Sequence, residues 1–332
     1  MAAPPVTPPA SQKTSTGSGS ATAASRAEVS ATRISPDIAA AVAAGDFVES
    51  DGPRSSPGQL DTGLNLIELL GMSIARCSEP ELLDALFAAL AKQRGGWLIT
   101  ANLDFLRRYY KDPRMQVLYA QADLRVADGM PLVWAAYLQG TPLPERIAGS
   151  SLLRPLAERA AREGRSVYFL GGNGNSAEGA SRLLKQQFPE LRVAGFSSPW
   201  LPVEPDDAAV EPTRQVLTEA RPDIVLVALG SPKQEWLIAK LRRSLPAAWF
   251  IGVGMSFSFT TGEMARAPGW MQRSGLEWVH RLVSEPKRLG KRYLWHDAPF
   301  GIELLGRSLL ARFRLAARGR PSPHEPRGEA RR

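Results

Sequence analysis

The sequence has little cysteine and little histidine. Cys77 is the only cysteine among 332 residues, which excludes a disulfide framework and fits a reducing compartment. The three histidines, His280, His296 and His324, lack the spacing of metal ligands, and no Asp-x-Asp triplet occurs. We therefore predict that Cys77 is a buried apolar residue and that the protein uses neither a metal ion nor another cofactor.

Long apolar runs are also absent. A membrane-spanning helix needs about 20 predominantly apolar residues, whereas residues 224–229 and 249–253 have only the length of a strand. The N-terminal segment does not combine a basic start with an apolar core, which is the pattern of a secretory signal. These absences predict a cytoplasmic protein without a membrane span.

The composition changes along the chain and predicts four regions. Residues 1–61 are mostly Ala, Pro, Ser, Thr and Gly, with too little apolar surface to offset the entropy cost of ordering, so we predict a disordered tail. Residues 62–262 predict a globular domain, residues 263–318 a basic helical appendage, and residues 319–332 a second disordered tail. The net charge of +8 indicates an anionic partner, but it does not distinguish nucleic acid, phospholipid and nucleotide phosphate.

Short apolar segments that alternate with helical stretches predict the fold of the globular domain. The segments are residues 97–100, 124–127, 166–170, 192–196, 223–229 and 249–253. This pattern is typical of a parallel sheet buried on both faces. We predict an α/β fold, a Rossmann-like and mostly parallel sheet with helices on both faces, preceded by a small strand pair around Gly71.

Candidate site residues follow the predicted strands, because ligands of such sheets bind at the carboxyl ends. Thr100 and Asn102 either bind substrate or cap the next helix. Asp128 fits a general base, although Asp-Gly is also a common turn dipeptide. Gly171 and Gly172 either cradle a phosphate with backbone amides or form a turn without a ligand.

The turn formed by residues 230–235 is the most specific of these features. Lys233 suits contact with a diphosphate, and Gln234 suits a hydrogen bond to a uracil edge or a sugar hydroxyl. Alternatively, Pro232 only starts a helix whose polar neighbours are solvated. The candidate binding residues here are Gly230, Pro232, Lys233, Gln234 and Glu235.

Two further candidates lie in loops. Gly254 follows the last strand, and Arg146 stands where its guanidinium group can clamp a phosphate. An ion pair of Arg146 with Glu145 or another acid is the alternative.

The C-terminal region predicts an amphipathic basic helix. Ile302, Leu305, Leu309 and Phe313 share one helical face, with Arg307, Arg314 and Arg318 roughly opposite. Such a helix favours an anionic membrane surface. Trp270, Trp278 and Trp295 suit the same interface.

An ordered series of motifs resembles the WecG/TagA/CpsF family of glycosyltransferases, also called glycosyltransferase family 26. The resemblance covers about residues 67–292. The motifs that carry it are Thr100-Ala101-Asn102, Ala127-Asp128-Gly129, residues 143–149 (Leu-Pro-Glu-Arg-Ile-Ala-Gly), Phe169-Leu170-Gly171-Gly172, residues 228–235, Gly252-Val253-Gly254, Arg266-Ala267-Pro268, residues 275–278 and residues 285–288.

The resemblance implies a metal-independent, inverting transfer from a UDP-sugar to a polyprenyl diphosphate-linked sugar in cell-surface polymer synthesis. Donors of the N-acetylmannosamine, uronic acid and glucose types are all compatible with it. It places the base on Asp128 with Thr100 beside it, and the chain peripherally on the inner face of the cytoplasmic membrane. By the same resemblance, Asn102, Arg146 and Gln234 line the cleft, and Arg266, Arg273 and Arg281 of the membrane-docking appendage reach the diphosphates.

Two other classes of protein share some of these features. The Rossmann-like alternation suits a nucleotide-binding oxidoreductase, but the full dinucleotide fingerprint is missing. The basic C-terminal region suits nucleic-acid binding, but it carries interfacial Trp and Leu without a recognisable DNA-reading motif, so we predict no nucleic-acid partner. The sequence leaves the oligomeric state open.

Overall fold

The structure, a computed structural model, describes residues 62–273, 277–284 and 286–318. Within these ranges, only the backbone is described for residues 272, 273, 281, 284, 288 and 314–318. Both predicted tails, residues 1–61 and 319–332, therefore lie outside the described residues.

A six-stranded parallel sheet forms the centre of the molecule and confirms the predicted fold class. In chain order its strands are β3 (Gly96–Ala101), β4 (Leu124–Ala127), β5 (Ser166–Gly171), β6 (Arg192–Ser197), β7 (Ile224–Ala228) and β8 (Trp249–Gly252). Their order across the sheet is β4-β3-β8-β7-β5-β6. Strands β1 (Leu66–Leu69) and β2 (Met72–Ala75) form the predicted antiparallel pair, with the turn at Gly71.

Several strand ends differ from the prediction by one residue, and for one of them the structure shows a reason. Asp223 was assigned to the start of β7, but that strand begins at Ile224. The Asp223 carboxylate accepts hydrogen bonds from the backbone N–H and the hydroxyl of Ser166, both at 2.8 Å. Asp223 thus ties the start of β7 to the start of β5.

Helices cover both faces of the sheet. One face packs against α2 (Leu103–Lys111), α3 (Pro113–Ala120), α4 (Met130–Gln139), α7 (Asp207–Ala220) and α8 (Lys233–Leu241). The other packs against α1 (Glu79–Ala91), α5 (Gly149–Arg162), α6 (Ser176–Gln187) and α9 (Ser256–Thr260). Successive side chains along a strand point to opposite faces of the sheet, so each face has its own hydrophobic core. Trp97 and Ile99 lie in the first core and Leu98 in the second.

Helix α1 begins at a capping box formed by Ser78 and Glu81. The Glu81 carboxylate accepts hydrogen bonds from the backbone N–H and the hydroxyl of Ser78, at 2.7 and 2.8 Å. In this arrangement the side chain of the third helical residue accepts a hydrogen bond from the backbone N–H that precedes the helix. Cys77, just before this cap, is buried as predicted, with 2% of its surface exposed.

The region beyond Thr261 is helical throughout its described elements, as predicted. It comprises α10 (Gly269–Arg273), α11 (Glu277–Ser284), α12 (Pro286–Gly290), a π-helical turn (Lys291–Asp297) and α13 (Ala298–Arg318). Phe300 and Leu304 of α13 are buried in the core that also holds α4. Among the residues that the structure describes, no helix combines the length and apolar content required to cross a bilayer.

Candidate active site

Two glycines bring the ends of strands β3, β4 and β8 together. The Thr100 hydroxyl, at the end of β3, donates a hydrogen bond to the carbonyl of Gly252 in β8, at 3.2 Å. Gly149, the first residue of α5, lies against both groups, because a Cβ atom at Gly149 would stand 3.0 Å from Thr100 Oγ1 and 3.3 Å from the Gly252 oxygen. A side chain at Gly149 would therefore crowd both groups.

Asp128 reaches the same glycine from β4. Its backbone N–H donates to the Ala101 carbonyl at 2.8 Å, and Asp128 Oδ2 lies 3.5 Å from the backbone N of Gly149 as that group's acceptor. The carboxylate therefore faces the N-terminus of α5. A helix N-terminus favours negative charge, which suits a carboxylate that must be ionised to accept a proton.

Gln234 approaches from the other side of Gly252. A Cβ atom at Gly252 would lie 2.5 Å from Gln234 Nε2, so the amide is packed directly on the glycine. Gln234 is 4% exposed, and within the described part of the chain its Oε1 has no hydrogen-bond partner. A buried acceptor without a partner is a place where a ligand donor can bind. The structure thus groups Thr100, Asp128 and Gln234 around Gly149 and Gly252.

Glu235 follows Gln234 in the first turn of α8. It is 1% exposed, and burial raises the pKa of its carboxyl group from the ordinary value of 4.5 to about 7. Hydrogen bonds with Gln234 and Ser231 act in the opposite direction without cancelling this effect. Glu235 was predicted to bind substrate, and this stays a prediction. Its Oε2 is buried without a hydrogen-bond partner among the described residues, and a Cβ atom at Gly252 would lie 3.7 Å from its Oε1.

We expect Glu235→Gln to flatten the pH dependence of stability. Because the folded-state pKa is raised, the stability contribution of Glu235 is complete below pH 4.5 and is lost as the pH rises through about 7. The interval between the two pKa values corresponds to about 3 kcal/mol of unfolding free energy in the unaltered protein. Urea unfolding between pH 5 and 8 measures this loss, with the exposed Glu219→Gln as control. Equal pH slopes in all three proteins would contradict the assignment.

The glycine loop after β5 has the geometry of an anion cradle. Gly171, Gly172 and Gly174 have φ angles of 96°, 88° and 49°, in the left-handed region that favours glycine. The Gly172 N–H already donates to the Ala228 carbonyl at 2.7 Å, so the amides that suit an anion are those of Asn173 and Gly174, next to the N-terminus of α6. Ser176 adds a hydroxyl that is buried and has no partner among the described residues. Ser176 was not among the predicted site residues.

Arg146 forms an ion pair, which was the predicted alternative to a phosphate clamp. Its partner is not Glu145 but another acid. Its guanidinium Nη1 donates to Oε2 of Glu277 in α11, at 3.0 Å. Only 16% of the Arg146 side chain and 10% of the Glu277 side chain are exposed, so the pair joins the loop to the appendage. Glu145 instead accepts a hydrogen bond from the backbone N–H of Glu79.

Arg266 lies close to the carboxylate site. Its Nη2 donates to the hydroxyl of Ser151 at 2.7 Å, in the first turn of the helix that begins at Gly149. This contact brings a cation from the segment after β8 to the helix end that Asp128 faces. The side chains of Arg273 and Arg281, which were predicted to act with it, lie outside the described residues.

The other predicted residues occupy the same edge of the sheet. Asn102 caps α2, since its Oδ1 accepts from the backbone N–H groups of Asp104 and Phe105 at 3.0 and 3.2 Å. This leaves the amide nitrogen of Asn102 as the group that can meet a ligand. Gly230 and Gly254 form the turns after β7 and β8, and Pro232 and Lys233 lead into α8. No group of three or more His, Cys, Asp or Glu side chains in the described ranges could hold a metal ion.

Comparison with known proteins identifies the family. Residues 67–314, most of the chain, match the Glycosyl transferase WecG/TagA/CpsF family. The chain is also similar to the N-acetylglucosaminyldiphosphoundecaprenol N-acetyl-beta-D-mannosaminyltransferase of Bacillus spizizenii. The two are 33% identical over 202 residues, which make up 60% of this chain and 75% of that protein. The chain therefore belongs to the WecG/TagA/CpsF family and is a glycosyltransferase.

Proposed function

We propose that the enzyme transfers a sugar from a UDP-sugar to a polyprenyl diphosphate-linked sugar, with inversion, during synthesis of a cell-surface polymer. The observation that carries this proposal is the grouping of Asp128, Thr100 and Gln234 around Gly149 and Gly252. The name of the Bacillus spizizenii relative, which specifies a diphosphoundecaprenol-linked acceptor, supports the substrate class. Family membership sets aside the oxidoreductase alternative.

In the proposed mechanism, Asp128 acts as the general base. Its carboxylate takes the proton of the acceptor hydroxyl while that oxygen attacks the anomeric carbon of the donor. The bond from the anomeric carbon to the diphosphate oxygen breaks in the same step, and UDP leaves. A single displacement of this kind inverts the anomeric centre, and Thr100 and Gln234 hold sugar hydroxyls around it.

Charge on the departing diphosphate is neutralised by fixed donors in the proposed site. The backbone amides of Asn173 and Gly174 and the guanidinium group of Arg266 are the described groups that suit this role. Lys233 adds a positive charge at the start of α8. Preorganised donors of this type stabilise developing charge without reorganising during the reaction.

We also propose that residues 62–262 form the catalytic domain and residues 263–318 a membrane-docking appendage. The support is a band of large apolar side chains that the appendage exposes. Trp295, Ile302 and Phe313 are 77%, 75% and 64% exposed, and Trp270 is 59% exposed. Such side chains insert into the interface of an anionic membrane, so the enzyme would meet its lipid-linked acceptor on the inner face of the cytoplasmic membrane.

The test of the proposed function is UDP release that requires both substrates. We expect the purified protein to release UDP only when one donor from a panel, UDP-N-acetylmannosamine, its uronic acid or UDP-glucose, is combined with a polyprenyl diphosphate-linked sugar. The relative's name favours the N-acetylmannosamine donor. Mass spectrometry of the lipid product identifies the transferred sugar. Absence of product with every donor and acceptor pair would refute the proposal.

A further inference from the structure

A cluster of buried charges joins the appendage to helix α2. Asp104 in α2 accepts hydrogen bonds from Arg107 at 2.5 Å and from Arg108 at 2.6 Å. Asp297, at the end of the π-helical turn of the appendage, pairs with the same Arg107 at 3.2 Å. Arg292 lies 3.5 Å from Asp297 and 3.9 Å from Asp104. We call these five residues the α2 charge cluster.

The cluster extends to the turn formed by residues 230–235. Arg108 uses Nη2 for Asp104 and donates from Nη1 to the hydroxyl of Ser231, at 3.3 Å. Ser231 precedes Gln234 by three residues and contributes a hydrogen bond to the buried Glu235. A continuous path of contacts therefore runs from Asp297 of the appendage through α2 to the turn that packs on Gly252.

Both carboxylates in this path are buried. The side chains of Asp104 and Asp297 are only 4% and 8% exposed, so either carboxylate would be shielded from water if it lost its arginine partners. A buried charge that loses its partner is strongly unfavourable. Displacement of Asp297 with the appendage therefore acts on Arg107, and through the shared Asp104 on the orientation of Arg108.

We propose that Asp104 and Arg108 are positioning residues. They couple the packing of the appendage against α2, which we call the seated position, to the shape of the 230–235 turn. UDP then binds tightly only when the appendage is seated. The inference rests on the proposed function, because it assigns this turn to the UDP part of the donor. It adds a role for residues that touch neither substrate nor the reacting atoms. The coupling is reciprocal, so UDP also favours the seated appendage.

Calorimetric titration of the full chain with UDP tests the coupling. We expect Arg108→Lys, which keeps the charge but not the two-sided contact, to weaken UDP binding by about tenfold. Ser231→Ala should give at least a similar loss, because it also removes the hydrogen bond to Glu235. The double variant should bind UDP no more weakly than Ser231→Ala alone, because Ser231→Ala already removes the contact with Arg108. Asp297→Asn should also weaken UDP binding, although Asp297 lies in the appendage.

A matched control separates this role from a general loss of stability. Arg242 pairs with Asp123 at 2.7 Å, at the amino-terminal ends of β3 and β4, and its exposure of 25% is close to the 21% of Arg108. Arg242→Lys should lower the melting temperature as much as Arg108→Lys but leave UDP binding unchanged. Unchanged UDP binding in Arg108→Lys and Asp297→Asn would overturn the coupling. Failure of the unaltered protein to bind UDP would instead overturn the donor assignment, and the inference with it.

Discussion

Replacing Asp128 with Asn is expected to lower kcat by about 10²- to 10⁴-fold, the usual contribution of a general base. Asparagine keeps the size of the side chain and can still accept a hydrogen bond from the Gly149 amide, but it cannot take the acceptor's proton. UDP binding and the melting temperature should therefore stay near those of the unaltered protein. Single-turnover transfer to the lipid-linked acceptor measures the chemical step without interference from product release.

The exposed Asp84 provides the control for this experiment. Its side chain is 66% exposed on α1, away from the strand ends, so Asp84→Asn should leave kcat unchanged. Full transfer activity in Asp128→Asn would remove the base from the mechanism. A variant that loses UDP binding along with activity would point to a binding role for the carboxylate.

Removing the exposed apolar band of the appendage is expected to release the enzyme from membranes. The triple variant Trp295→Ser, Ile302→Ser and Phe313→Ser loses three large side chains, each worth at least about 1.5 kcal/mol when buried. The sum corresponds to a decrease on the order of 10³-fold in partition into anionic vesicles. Sedimentation with vesicles of equal phosphatidylglycerol and phosphatidylcholine measures the partition. Transfer to a lipid-embedded acceptor should fall in parallel.

Trp200→Ser is the control for nonspecific loss of an exposed tryptophan. Trp200 is 87% exposed after β6, at the edge of the sheet opposite to β4. The change should leave vesicle binding unaltered. If the triple variant bound vesicles as well as the unaltered protein but lost self-association in size-exclusion chromatography, the apolar band would be an interface between copies of the chain and the docking proposal would fail.

The sequence was sufficient to predict the sheet because parallel strands are apolar on both faces. Strand β4 matches its predicted bounds, and the other strands differ only at their ends. At one of those ends a distant partner is involved, because Asp223 binds Ser166, 57 residues earlier in the chain. The local pattern of apolar residues cannot predict a hydrogen bond between such distant residues. The two predicted tails lie outside the described residues.

The candidate site was predictable in position but not in its contacts. Asp128 and Thr100 follow strands, and the strand-end rule alone predicts that they lie at one edge. The position of Gly149 between them could not be predicted in this way, nor could the contact of Asp104 with the appendage. Each contact joins segments that are distant in the sequence, and no local pattern links them. The only local signal for the charge cluster was the helical spacing of Asp104 with Arg107 and Arg108.

The buried Glu235 has a consequence for the ligand-free enzyme at neutral pH. Because burial raises the pKa of this carboxyl group to about 7, both of its protonation states are populated near neutral pH. A nucleotide that binds better to one protonation state will take up or release a fraction of a proton as it binds. The measured heat of association will then vary with the ionisation enthalpy of the buffer, and its slope counts the protons exchanged.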